Sequence, residues 1–327
     1  MRAPEFWHDA PGLISGLLAP VGAAFDAAGR VRRALAHPYR GAVPVICVGN
    51  LVVGGAGKTP VVLSLVELLQ DMGAAAHVVM RGYGGRLAGP VQVDPRLHDA
   101  DAVGDEAMLT VQRAACWVAR DRAAGIRAAA AAGAAAVLLD DGFQNPSVAK
   151  DLSLLVVDAE YGFGNGRRLP AGPLRESAAR GLARADAVVA LGGGDRRDLV
   201  GCGRPILRAD LTPLDSERFA GCRVVAFAGI GRPEKFFATL RQSGANVVMQ
   251  QPFPDHHRFS AAELTGLRHI AEREGGMLVT TEKDYVRLPE PQRSGIEVLR
   301  VEVHWSDRPA LAALVAPVMA ARAPNGG

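Results

Sequence analysis

Val45-Ile-Cys-Val-Gly-Asn-Leu-Val-Val-Gly-Gly-Ala-Gly-Lys-Thr59 is an apolar run that passes into a glycine-rich turn ending in Gly57-Lys58-Thr59. Residues 43–48 favour a strand, whereas Val61, Val62, Leu65, Val66, Leu68, Leu69 and Met72 recur at helical spacing up to Gly73, a natural C-terminal stop. Pro60 falls in the first helical turn, where its missing N–H is harmless. Strand, turn and helix in that order make a phosphate-binding loop. Backbone N–H groups uncovered by Gly54, Gly55, Ala56 and Gly57 wrap phosphate oxygens, the Lys58 ammonium neutralises the terminal phosphates, and the Thr59 hydroxyl is placed to ligate Mg²⁺. The pattern G-x-x-x-x-G-K-[ST] wants glycine where this chain has Val52. The context outweighs that departure. The segment points to a bound nucleoside triphosphate rather than to a plain turn with a surface lysine.

Downstream, strand-like runs alternate with helical ones: 76–80, 116–119, 135–139, 152–157 and 187–191. That alternation predicts an α/β fold of the P-loop NTPase kind, a mostly parallel sheet with helices on both faces. The strand at 135–139 delivers Asp140 and Asp141 to its carboxyl end, where ligands of such sheets bind. From about Pro213 the texture restarts with strands at 223–228, 246–250 and 277–280 and helices at 233–242 and 261–274. These patterns divide the chain into an N-terminal segment (1–40), a phosphate-loop domain (41–212) and a smaller C-terminal α/β domain (213–327), with the polar stretch 205–221 as hinge.

Composition sets limits. A chain of 327 residues, 49% hydrophobic and 22% charged, can bury a large core, and its net charge of +3 with no basic cluster interleaved with aromatics argues against a nucleic-acid partner. Cys47, Cys116, Cys202 and Cys222 form no C-x-x-C pair and read as buried, reduced thiols of a cytosolic protein. In the N-terminal segment, Phe6, Trp7, Leu13, Ile14, Leu17, Leu18, Val21 and Phe25 are interrupted by Pro11 and Pro20 and followed by Arg30, Arg32, Arg33 and Arg40. This apolar stretch is shorter than the ~20 residues that span a bilayer, and its positive charges follow where a secretory signal would place them first. Two readings remain for it: a helix in the interface of an anionic leaflet, or one packed on the protein's own core.

Several segments carry potential chemistry. Asp140-Asp141-Gly-Phe-Gln144 stands where an acidic element meets the Mg²⁺ of a bound nucleotide. Gly104-Asp105-Glu106 opens a predicted helix, either as a cap or as a base that takes the proton of an acceptor hydroxyl. Pro254-Asp255-His256-His257 places a histidine pair on a loop of the second domain, able to reach Asp105 across a cleft; a zinc site there lacks a third ligand at recognisable spacing. Arg81-Gly-Tyr83-Gly, the glycine- and proline-rich run from Gly164 through Arg175 and Glu176, and Thr281-Glu-Lys-Asp284 each follow or flank a strand and could reach a ligand.

Taken together and in order, V-G-N-L-V-V-G-G-A-G-K-T-P, R-G-Y-G, G-D-E, D-D-G-F-Q, L-P-A-G-P-L-R-E, F-P-D-H-H and T-E-K-D resemble the tetraacyldisaccharide 4'-kinase family of lipid A biosynthesis, over nearly the whole chain. The resemblance implies ATP- and Mg²⁺-dependent phosphorylation of the 4'-hydroxyl of a tetraacylated glucosamine disaccharide 1-phosphate; separately from the resemblance, a monomer is expected. The resemblance places the enzyme peripherally at the cytoplasmic face of the bacterial inner membrane. It also implies two lobes joined by a short two-stranded connection. By motif, Lys58, also a catalytic residue, and Thr59 hold phosphates and metal, Asp140 and Asp141 form the acidic metal shell with Glu106 as a further metal residue, Asp105 and His256 form the acid–base pair, and Arg175 and Tyr83 contact nucleotide phosphate or substrate. Two positions depart from the family: Ala107 replaces a usual proline after G-D-E, and His257 follows His256. An acyl-bearing acceptor cannot leave the bilayer cheaply, since each buried CH₂ contributes about 0.8 kcal/mol, which favours the interfacial reading of residues 5–33. The rivals are a nucleotide-hydrolysing switch or metallochaperone, which would call for a guanine-reading N-K-x-D absent here, and a nucleotide-binding scaffold without chemistry.

Overall fold

The computed structural model describes residues 4–55, 57–194, 199 and 201–321. Its strands are β1 (Val45–Gly49), β2 (Ala76–Met80), β3 (Val91–Gln92), β4 (Ala115–Val118), β5 (Ala136–Asp140), β6 (Leu152–Asp158), β7 (Ala187–Leu191), β8 (Ile206–Leu214), β9 (Arg223–Ala228), β10 (Asn246–Pro252), β11 (Met277–Thr281) and β12 (Ile296–Trp305). The helices are α1 (Leu13–Ala34), α2 (Lys58–Asp71), α3 (Ala100–Val103), α4 (Asp105–Thr110), α5 (Arg122–Ala131), α6 (Ala178–Arg184), α7 (Pro233–Gln242), α8 (Ala261–Arg273), α9 (Glu282–Tyr285) and α10 (Arg308–Ala320). The strands join in one 12-stranded sheet, in the order β10-β9-β11-β12-β8-β7-β6-β1-β5-β2-β4-β3. Pairing is parallel except for β12 with β8 and β3 with β4.

β1 is buried along its whole length between β5 and β6. The pleat sends Ile46 and Val48 into one core and Val45 and Cys47 into the other, on opposite faces that helices cover. A strand buried on both faces has to be apolar throughout, which is why the opening run shows no alternation. Register sets Val48 beside Asp140 of β5, so the phosphate-loop turn and the D-D-G-F-Q turn leave the sheet at one edge. Cys47 and Cys116 are buried in these strands, Cys202 and Cys222 are half-buried, and all four are free thiols.

The stretch 205–221, expected to be a hinge, is largely strand. β8 pairs with β7 and β12, and Pro213 lies opposite Val301. Its polar composition concealed a period of two, with Leu207 and Ala209 buried and Arg208 and Asp210 turned outward. β8 and β12 are the strands that carry the sheet from one unit into the other. Beyond β12 the chain returns to the first unit: Val303, Trp305, Leu311 and Val315 join its core, and Trp305 Nε1 donates to Ser64 Oγ of α2 at 2.6 Å. Helix α10, grouped by sequence with residues 213–327, therefore packs against α2.

Helix α1 continues past Pro20 without interruption. Its amphipathicity is inverted. Ser15, Gly22 and Asp26 face the protein, while Leu13 (89% exposed), Leu17 (81%), Ile14, Val21, Phe25 and Val31 face outward. Gly22 permits this contact, since a Cβ there would come within 2.9 Å of the Arg168 carbonyl oxygen. Asp26 anchors the helix by accepting from Arg168 at 3.1 Å and from Arg180. No helix among the described residues is long and apolar enough to cross a membrane.

Candidate active site

The turn after β1 is shaped by glycine. Gly54 and Gly57 have φ of 111° and 74°, and a Cβ on Gly57 would sit 2.2 Å from Leu191 Cδ2, so no side chain fits at the head of α2. Ala56 lies outside the described residues. Val53 N donates to the Pro173 carbonyl at 2.9 Å and Arg175 N to the Leu51 carbonyl at 2.7 Å, so the run from Gly164 to Glu176 braces the loop from outside. The second unit also reaches it: a Cβ on Gly231 would lie 3.3 Å from Gly55 N.

Lys58 and Thr59 open α2, where unpaired N–H groups and the helix dipole favour an anion. Lys58 Nζ stands 3.8 Å from Asp141, and Thr59 Oγ1 donates to Asp140 Oδ2 at 3.0 Å. Arg175 grips both oxygens of Asp141 at 2.8 and 2.9 Å. Arg175 is thus positioned on the acidic turn, beside the lysine.

Asp140 is a buried carboxylate with one oxygen left open. It is fully buried, its Oδ1 has no hydrogen-bond partner, and burial, with Glu106 nearby, pushes its carboxyl up to about 7. Among the described residues no cluster of three or more His, Cys, Asp or Glu side chains is placed to hold a metal by itself. Two carboxylates and a hydroxyl suit Mg²⁺, which binds through one or two carboxylates plus phosphate oxygens and keeps several waters. Glu106 is paired with Lys283 of the second unit at 3.1 Å.

Asp105, the first residue of α4, is buried and fully engaged. Its Oδ1 accepts from Glu106 N at 2.9 Å, while Oδ2 faces His256 Nδ1 at 2.9 Å and accepts from Arg287 Nε at 2.7 Å and from Arg287 Nη2. Burial pushes its acidity the other way, yet the His256 hydrogen bond and the charges of Lys283 and Arg287 hold the carboxyl well below the usual range. His256 takes a left-handed φ of 59°, and its ring lies against Tyr83 with centroids 5.2 Å apart. His257 turns away to stack on Phe253 and contact Glu263 at 3.1 Å. Geometry therefore separates the two histidines. Asp105, His256 and Tyr83 line a cleft of about 540 Å³ that also includes His98, Asp101 and Arg258.

Two arginines of the site are not evident in the sequence. Arg122 is buried at the start of α5 with its Nε unpartnered, and burial, with Arg81 next, lowers its pKa to about 10. Its position after the carboxyl end of β4 was the available signal. Arg287 stands one helical turn beyond Asp284, and that spacing is its only mark in the sequence.

The family model for tetraacyldisaccharide-1-P 4'-kinase matches residues 14–320. The chain belongs to the tetraacyldisaccharide 4'-kinase family. Relatives named tetraacyldisaccharide 4'-kinase include one from Rhodospirillum centenum, 54% identical with 100% of this chain and 99% of that protein covered. Another, from Dinoroseobacter shibae, is 53% identical with 96% of each covered. Among solved structures, LpxK from Aquifex aeolicus in complex with ATP superposes with a TM-score of 0.75 at 26% identity, covering 94% of this chain and 100% of that one. The family that the ordered motifs resembled is the family to which the chain belongs.

Proposed function

We propose that this member of the tetraacyldisaccharide 4'-kinase family transfers the γ-phosphoryl group of ATP to the 4'-hydroxyl of a tetraacylated glucosamine disaccharide 1-phosphate at the cytoplasmic face of the inner membrane. The observation that carries the reading is the pairing of two half-sites. The phosphate loop and Asp140 share one sheet edge, and the buried Asp105–His256 pair closes the cleft from the two units.

The loop N–H groups and Lys58 bind the terminal phosphates, and Lys58 and Arg175 exchange Asp141 for phosphate oxygens as ATP enters. Thr59, Asp140 and Asp141 are the residues that would hold Mg²⁺. When bound, the ion supplies positive charge against the β- and γ-phosphate oxygens. The 4'-oxygen forms the new bond to γ-phosphorus, the bond from γ-phosphorus to the β,γ-bridging oxygen breaks, and ADP departs. The hydroxyl proton passes to the Asp105–His256 pair. A carboxylate as acidic as Asp105 suffices, because the loose transition state of phosphoryl transfer leaves the proton on the attacking oxygen until late. Orientation of that oxygen is then the larger part of the contribution.

Helix α1 supports a peripheral membrane position. Its outward stripe of Leu13, Leu17, Val21 and Phe25 is unlike the exposed face of an ordinary surface helix, and Arg32 continues it with charge suited to anionic headgroups, while Arg30 pairs with Asp26 on the protein-facing side at 3.9 Å. The test is incubation of the protein with ATP, Mg²⁺ and detergent-solubilised disaccharide lipid. Label transferred to the lipid supports the kinase; release of free phosphate alone supports a hydrolysing switch instead.

A further inference from the structure

We propose that Arg287 is a positioning residue that assembles the Asp105–His256 pair across the cleft, an inference that rests on the kinase reading. Asp105 belongs to the first unit, and His256 and Arg287 to the second. The Arg287 side chain is only 7% exposed, and its guanidinium is engaged on three sides. Nε and Nη2 donate to Asp105 Oδ2, and Nη1 donates to Asp284 Oδ1 at 2.6 Å and to the Gly229 carbonyl at 2.7 Å.

That carbonyl also accepts from His256 N at 3.0 Å. A closed ring results: Arg287 holds the Asp105 carboxylate directly and shares a carbonyl with the backbone that carries His256, whose Nδ1 returns to the same Asp105 oxygen. The left-handed backbone of His256 is uncommon for a residue with a Cβ and needs its surroundings to fix it. Asp284 backs the ring. It is fully buried and accepts from Thr281 Oγ1 at 2.7 Å and Gly229 N at 3.1 Å, so the guanidinium cannot swing away. The T-E-K-D segment thereby seats an arginine that presents the carboxylate to the histidine in one orientation. Lysine cannot replace the fork, because one ammonium does not span three acceptors in fixed directions.

The experiment uses the full-length enzyme with Arg287→Ala and Arg287→Lys, each also made in an Asp105→Ala background. The readouts are kcat and KM for transfer from ATP to the disaccharide lipid, and ATP binding. Loss of orientation should lower kcat by about 100-fold in Arg287→Ala while KM and Kd for ATP change by less than about threefold. Added guanidinium should restore part of that kcat. In the Asp105→Ala background the same change should cost less than about threefold, since Arg287 acts through that carboxylate. Wild-type kcat in Arg287→Ala, or an undiminished 100-fold loss without Asp105, overturns the proposal. If Arg287→Ala does not fold, Arg287→Lys decides: kcat down by about tenfold or more with ATP binding kept supports the role, and wild-type kcat refutes it. Failure of the kinase reading looks different, as a wild-type protein that labels no lipid.

Discussion

Replacing Asp140 by asparagine should make the nucleotide-free protein more stable while ending its turnover. The carboxyl is displaced from its ordinary 3.8 to about 7 by burial first and by Glu106 next. A raised carboxyl binds its proton more tightly in the folded state than in the unfolded one, so stability is undiminished below about pH 4 and falls as pH rises toward 7. A span of roughly three pH units at about 1.4 kcal/mol each amounts to about 4 kcal/mol at pH 8. Asparagine carries no charge to desolvate, and its amide oxygen can still accept from Thr59 Oγ1. With an unfolding entropy of about 0.7 kcal/mol/K for a chain of this length, the gain corresponds to a Tm about 6 °C higher at pH 8, shrinking toward zero at pH 4. Thermal unfolding in EDTA without nucleotide, from pH 4 to 8, measures it. A variant no more stable than wild type at pH 8, or one whose advantage does not grow with pH, would refute the account of Asp140 as a carboxylate held ready for a cation.

Lys58→Ala should abolish measurable transfer and weaken ATP binding, read by product formation and by titration calorimetry, because no other ammonium stands at the head of α2 among the described residues. Replacing Leu17, Val21 and Phe25 together by aspartate should reduce recovery with anionic vesicles by about tenfold or more, yet leave Tm nearly unchanged, since these side chains touch solvent rather than core; unchanged sedimentation would contradict the interfacial role. His256→Ala should lower kcat by about 10²-fold or more, whereas His257→Ala should leave kcat within about threefold and lower Tm, because His257 packs on Phe253 and Glu263.

The phosphate loop was legible because its chemistry is local: glycines, lysine and threonine must be consecutive to wrap one anion, and the strand and helix on either side are strongly patterned. Asp140 was legible for a similar reason, as the polar end of a fully apolar strand. The strands of the link between the two units were not legible in the residues themselves, although the family resemblance implied a two-stranded connection. In β8 a short alternation of Leu207 and Ala209 with Arg208 and Asp210 was masked by Pro213, and the antiparallel partner that turns it into sheet lies far along the chain at Arg300 to Trp305. Helix α10 could not be matched to a core from its sequence, because an apolar face does not say which core it joins; Trp305 and Ser64 show that only in three dimensions. Arg287 and Arg122 escaped for the same reason, being single arginines among 37 basic residues, distinguished by burial and by partners remote in sequence. The inverted face of α1 falls between these cases: its periodicity was readable, but the outward direction of the apolar stripe is set by Asp26 meeting Arg168 and Arg180.

The most direct measurement follows the γ-phosphate of labelled ATP into the disaccharide lipid and locates it on the sugar. One phosphate should be gained at the 4'-oxygen for each ADP formed, with lipid-independent phosphate release negligible. Label appearing only as free phosphate, or on any other oxygen of the lipid, would contradict it.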